Sequence, residues 1–104
     1  MSDVIEIVQF ETKKGVQATD FIRAAEPIGS WVMAQPGFRY RSLSQDEQGL
    51  WRDVVYWSSM ENAKKASDAF MRDNAQSDFM VMIEESSLVM NHSRVMQSQM
   101  AECS

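Results

Sequence analysis

Residues Phe38–Glu61 read FRYRSLSQDEQGLWRDVVYWSSME, and the fold turns on how this stretch is parsed. Two segments rich in β-branched and aromatic residues, FRYRSLSQ and LWRDVVYW, flank the polar DEQG, which reads as a hairpin loop from Asp46 to Gly49 closing on glycine. With that loop Gln45 faces Leu50. Phe38, Tyr40, Ser42 and Ser44 then share a face with Trp51, Asp53, Val55 and Trp57, and the other face carries Arg39, Arg41 and Leu43 beside Arg52, Val54 and Tyr56. A loop one residue longer or shorter changes the pairing between the strands but not the alternation within each. The second strand runs straight into Ser58-Ser59-Met60-Glu61, a capping box in which a serine accepts from the free amides of a helix and Glu61 reaches back.

Upstream, DVIEIVQFET places β-branched residues on consecutive positions, which predicts a buried strand that KKG turns. From about Ala18 to Gln35, Phe21, Ala25, Ile28 and Val32 recur every three or four residues and form one helical face. Pro27 falls inside this segment, so the helix is predicted to kink there or to restart with Pro27 at its first position, and Gln35-Pro36-Gly37 ends it. Downstream, Met60, Ala63, Ala66 and Phe70 mark the inner face of a second helix, and SDFMVMIEE a short helical turn with Phe79, Met82 and Ile83 together. SSLVMNHSRVMQS reads as the last strand, and residues 97–104 as a flexible tail.

The order β, α, β, β, α, β predicts an α+β protein of ferredoxin-like plan: a four-stranded antiparallel-type sheet with its helices on one face, forming a single domain over residues 1–104. A sheet covered on one side alternates apolar and polar residues. Here Ile5 and Ile7 oppose Val4, Val8 and Phe10 in the first strand, and Val89 and Val95 oppose Leu88, Met90 and Met96 in the last. Both faces are apolar and the helices cover one, so a second copy is predicted to cover the other, giving a homodimer joined sheet to sheet as a dimeric α+β barrel.

Composition narrows the partners. The formal net charge is −5 and no basic run exceeds two lysines, so the long-range field opposes nucleic acid and anionic lipid. VIEIVQF contains Glu6, lacks a basic flank and is too short for a membrane span or signal peptide, which predicts a soluble, cytoplasmic protein. The one cysteine, Cys103, reads as a frayed exposed thiol with no disulfide and no thiolate metal cage. With a single histidine, His92, and no matching ligand spacing, neither a metal nor another cofactor is predicted, and no phosphate-binding glycine loop or nucleophilic triad occurs.

Four segments, IVQFETKKGVQATDFI, QPGFRYRSL, DVVYWSSMENAKKA and FMRDNAQSDFMVMI, together resemble the dimeric α+β barrel superfamily, and within it the antibiotic biosynthesis monooxygenase-like proteins, up to about Gln97. The most telling pieces are Pro36-Gly37-Phe38 and the set Trp57, Ser59, Glu61 and Ala63, which mark architecture and carry no chemistry. The resemblance implies a homodimer and, among the activities of such proteins, cofactor-free oxygenation of polyphenolic substrates. Some members that do chemistry are similar in carrying a tryptophan and a histidine on the helix after the third strand and an asparagine on the first. Here MENAKKASDAFMRDN has neither ring and the first strand offers Gln9, so the resemblance stops short of the haem-degrading members.

The residues themselves leave two readings open. Phe38, Trp51 and Trp57 are large enough to anchor the core or a dimer seam, whereas Trp57, Tyr40 and Asp53 could line a cavity that stacks a flat aromatic ligand. Asp53, a carboxylate among rings, needs either an arginine or a catalytic reason. His92, preceded by Asn91, is either a ligand-facing base or a satisfied sheet histidine, while Tyr56 offers a hydroxyl and Gln9 an amide. The candidates for chemistry are Asp53, His92 and Tyr56; those for binding a small aromatic molecule are Gln9, Tyr40, Trp57 and Asn91. The function is then either a cofactor-independent monooxygenase-like reaction, in which a pocket group removes a proton and the carbanion meets oxygen, or non-catalytic ligand binding by a dimeric, stress-related protein.

Overall fold

The computed structural model describes residues 3–102; Cys103 lies outside them. Strands β1 (Val4–Phe10), β2 (Phe38–Gln45), β3 (Trp51–Trp57) and β4 (Val89–Arg94) alternate with helices α1 (Ala18–Met33), α2 (Met60–Asn74) and α3 (Asp78–Met82), and a single 3-10 turn, Glu85–Ser87, leads into β4. The sheet order is β2-β3-β1-β4 with every pair antiparallel, the ferredoxin-like arrangement that the element order predicts. Residues after Arg94 carry no regular secondary structure up to Glu102. No helix among the described residues is long and apolar enough to cross a membrane.

The hairpin corrects the predicted register. Its loop extends over Asp46–Leu50, so Gln45 pairs with Trp51 rather than facing Leu50. Asp46 holds the longer loop: one carboxylate oxygen accepts from the amides of Gln48 at 2.9 Å and Leu50 at 3.0 Å, and Gly49 supplies the φ of +87° that the reversal needs. The shift turns Arg41 and Leu43 to the side of Asp53 and Val55, and sends Tyr40 and Ser42 to the side of Val54 and Tyr56.

Helix α1 runs continuously through Pro27, without the predicted restart. Both Pro27 and Arg23 are exposed, so water can satisfy the carbonyl that proline leaves without a donor. At α2 the cap is Ser59, whose hydroxyl accepts from the Asn62 amide at 3.1 Å. Glu61 does not reach back as the capping-box reading has it; it sits in solvent beside Lys65, and the Asn62 side chain donates to the Ser58 hydroxyl instead. Gly37 packs into this junction with φ +83°, its carbonyl accepting from Ser58 N at 2.8 Å, and a Cβ there would collide with Ser58 and Asn62. Pro36-Gly37-Phe38 and Trp57 to Ala63, distant in sequence, are therefore one structural joint.

The core lies between sheet and helices. At one end Phe10, Phe21, Phe79 and Trp51 interlock, with Phe21 stacked on Phe79 at 4.9 Å and tilted against Trp51 at 4.8 Å. At the other, Trp57 is 2 % exposed and meets Phe38 edge to face. Ile5, Ile7, Val54 and Tyr56 form the opposite face of the sheet with exposed Tyr40 and Val89, and no helix among the described residues covers it.

Candidate functional site

Helix α2 turns small residues, Ala63, Ala66 and Ser67, toward a sheet whose β3 is anchored by tryptophans at both ends. Short side chains facing large ones leave a gap between the end clusters. It is a cavity of ≈ 170 Å³ with Val8, Val55, Asp53 and Arg41 on the sheet side and Ile28 and Ala66 on the helix side. That volume is close to the roughly 150 Å³ of an apolar protein cavity that takes up benzene. Of the lining side chains, Trp31 of α1 meets Phe70 of α2 edge to face at 5.6 Å and donates from Nε1 to Asp73 at 3.1 Å.

Two carboxylates face this interior, and they are the only buried charged residues among those described. Asp53 is held by Arg41 in a bidentate pair, Nε to Oδ1 at 2.9 Å and Nη2 to Oδ2 at 2.7 Å. Such a fork fixes the guanidinium plane as well as the charge. Glu6, on β1, accepts from Trp57 Nε1 at 2.9 Å and from the Ser67 hydroxyl at 3.4 Å. Burial raises its pKa above the ordinary 4.5, outweighing the lowering influence of the Trp57 hydrogen bond and of nearby His92; the neighbouring Asp53 charge adds to the rise. His92 pairs with Glu6 across β4 and β1, and its Nε2 lies 3.7 Å from Glu6 Oε2. That separation exceeds a hydrogen bond, and the nitrogen is buried without a protein partner. No group of three or more His, Cys, Asp or Glu side chains that could hold a metal ion occurs among the described residues.

The structure lines the cavity with Asp53 and Trp57 of the sequence candidates and sets His92 beside Glu6. It separates the rest. Tyr56, Tyr40, Gln9 and Asn91 lie on the outer face, where the two tyrosines meet edge to face at 6.2 Å and Gln9 accepts from Arg52 at 2.8 Å. For Tyr56, Gln9 and Asn91 the reason is strand alternation; for Tyr40 it is the longer loop, which puts Arg41 where the shorter one would put an aromatic ring. Glu6, Arg41 and Ser67 were not among the candidates. Glu6 had a visible signal, as the single charge in the apolar run VIEIVQF. Ser67 had none, since its role depends on helix docking; for Arg41 the signal was the need of Asp53 for an arginine, and register decides which one supplies it.

No protein-family model and no curated protein matches the sequence. Solved structures do match in shape. A monooxygenase of Streptomyces coelicolor in complex with nanaomycin D superposes with a TM-score of 0.73 at 11 % identity, covering 97 % of this chain and 94 % of that one. SnoaB, a cofactor-independent oxygenase from Streptomyces nogalater, gives 0.66 at 12 % identity with coverages of 96 % and 97 %. A dimeric ferredoxin-like protein from an uncultured marine organism gives 0.72 at 12 % identity with coverages of 98 % and 95 %. At such identities the likeness speaks for backbone architecture alone: the chain has the ferredoxin-like fold that these proteins share.

Proposed function

We propose that the chain is a homodimeric small-molecule-binding protein that oxygenates an aromatic substrate without a cofactor. One observation carries the reading: a ligand-sized apolar cavity encloses a carboxylate, Glu6, whose pKa burial has raised. A carboxylate with a raised pKa is a stronger base than one in water, and Trp57 and Ser67 hold it in place. In this scheme Glu6 takes the phenolic proton of an electron-rich ring. The resulting anion carries charge on the ring carbon para to the oxygen, that carbon bonds to dioxygen, and the peroxide loses water to leave a quinone. One ring C–H becomes C=O, one oxygen atom enters the product and the other leaves as water. His92 lies 3.7 Å from Glu6, and in this scheme a small shift of either side chain lets it relay the proton. The uncovered sheet face of Ile5, Ile7, Val54 and Tyr56 supports the dimer, as does the dimeric description of a protein with the same fold.

The test is oxygen uptake with α-naphthol, with wild type and Glu6→Gln compared. Wild type is expected to form the naphthoquinone, and the variant to lose about a hundredfold or more in rate, the worth of a general base. Binding of α-naphthol without oxygen uptake refutes catalysis and leaves the non-catalytic ligand-binding protein. Light scattering at micromolar concentration is expected to give twice the chain mass.

A further inference from the structure

The proposed chemistry uses Glu6 and leaves Arg41 unaccounted for. A partly buried arginine whose only task is to neutralise Asp53 spends Nε and one N–H of Nη2, and here those two atoms make both contacts with the carboxylate. Nη1 has no protein acceptor among the described residues, and the side chain lines the cavity. A guanidinium carries five N–H donors in a fixed fork, so Asp53 leaves three without a carboxylate partner. Helix α1 accommodates this group. Gly29, in mid-helix where glycine costs about 1 kcal/mol relative to alanine, faces Arg41 so closely that a Cβ would lie 3.2 Å from Nη1.

We propose that Arg41 is the specificity-determining residue of the cavity: Asp53 holds its guanidinium so that the free N–H groups receive a carbonyl or phenolate oxygen of the aromatic ligand. The charge balance favours this class of ligand. Asp53 already neutralises Arg41, so the site offers directed donors and little net positive charge. A ketone, quinone or phenolate oxygen matches those donors, while a purely hydrocarbon ligand leaves them unpaired. The Arg41–Asp53 pair and Glu6 lie on the same side of the sheet, from β2 and β3 to β1, so oxygen recognition and proton removal act on one bound ring.

This rests on the reading of the cavity as a ligand site, and the experiment separates the two. Acetophenone and ethylbenzene share a body and differ in the carbonyl; their affinities are measured by quenching of tryptophan fluorescence. Acetophenone is expected to bind about tenfold tighter or more, as a hydrogen bond to a charged donor provides, with the carbonyl stretch of the bound ketone moved to lower frequency. Arg41→Lys, which keeps a charge for Asp53 but loses the fork, is expected to abolish the preference and the shift while still binding ethylbenzene. The pair Arg41→Met with Asp53→Asn, which leaves no orphaned charge, is expected to do the same. Equal affinities in wild type, or a preference that survives in both variants, overturn the role of Arg41 and leave the cavity reading intact. Failure of both probes to bind wild type overturns the cavity reading and this proposal with it.

Discussion

Breaking the Arg41–Asp53 pair should be among the most damaging polar changes in this protein. The side chains are only 13 % and 12 % exposed and meet at 2.9 and 2.7 Å. Removing either partner therefore strands a charge in a place that water reaches poorly, and such losses run to about 3–5 kcal/mol. Against a total stability of roughly 5–15 kcal/mol, that is a large share. Removing both charges is a different perturbation. Arg41→Met with Asp53→Asn keeps volume and leaves no unpaired ion, so the double variant should be more stable than either single one. Urea melts of wild type, Arg41→Met, Asp53→Asn and the double variant, all at one protein concentration, yield the coupling energy directly; it should be about 2 kcal/mol or more. Additive single effects, or single losses below about 1 kcal/mol, would refute the account of a desolvated, mutually dependent pair.

Other positions are open to the same kind of measurement. Trp57→Ala should cost about 3–5 kcal/mol as a buried aromatic truncation, and Trp57→Phe about 1–3 kcal/mol because Glu6 loses its shortest hydrogen bond, both read from chemical denaturation. Gly37→Ala should be destabilising out of proportion to a single methyl group, since it meets both a left-handed φ and the Ser58–Asn62 contact; a neutral effect on Tm would contradict that geometry. Glu6→Gln should stabilise the fold at neutral pH. With its folded pKa raised above 4.5, Glu6 favours the folded state below that pH and loses the benefit as pH climbs through the folded value, so the gap in Tm between variant and wild type should open only above about pH 4.5.

Element types were legible because periodicity is a local property. Phe21, Ala25, Ile28 and Val32 announce a helix whatever surrounds them, and all four prove buried on α1. The continuity of that helix through Pro27 was not legible, because it depends on which side of the helix faces water. The same division holds at the site. Trp57 was legible as a large ring ahead of a helix cap, but its hydrogen bond to Glu6, fifty-one positions away, belongs to the pairing of β1 with β3. Glu6 itself was visible as a lone acid in a strand. Its presence in VIEIVQF weighed against a membrane segment, whereas an acid on the inner face of a sheet also raises the question of what a buried carboxylate is for.

The least legible feature is a pair of compensating irregularities in one hairpin. The predicted pairing of Phe38 with Trp57 holds at the open end, yet from Tyr40 to Gln45 every partner is displaced by one. The long Asp46–Leu50 loop displaces the strands at the closed end, and the irregularity between Phe38 and Tyr40 restores the alignment at the other. Between them β2 presents its opposite face, and that inversion decides the chemistry of the cavity. Without it Tyr40 and Ser42 would face Asp53, a carboxylate among uncharged groups. With it Arg41 faces Asp53 and forms the fork that both neutralises the acid and leaves donors directed toward a ligand. A bulge that re-aims one side chain beside a functional site is a recurrent device in sheets. Here it is set by two short-range features, the Asx-type closure by Asp46 and the Gly37 joint at the start of the strand, neither of which alters the alternation that marks β2 as a strand.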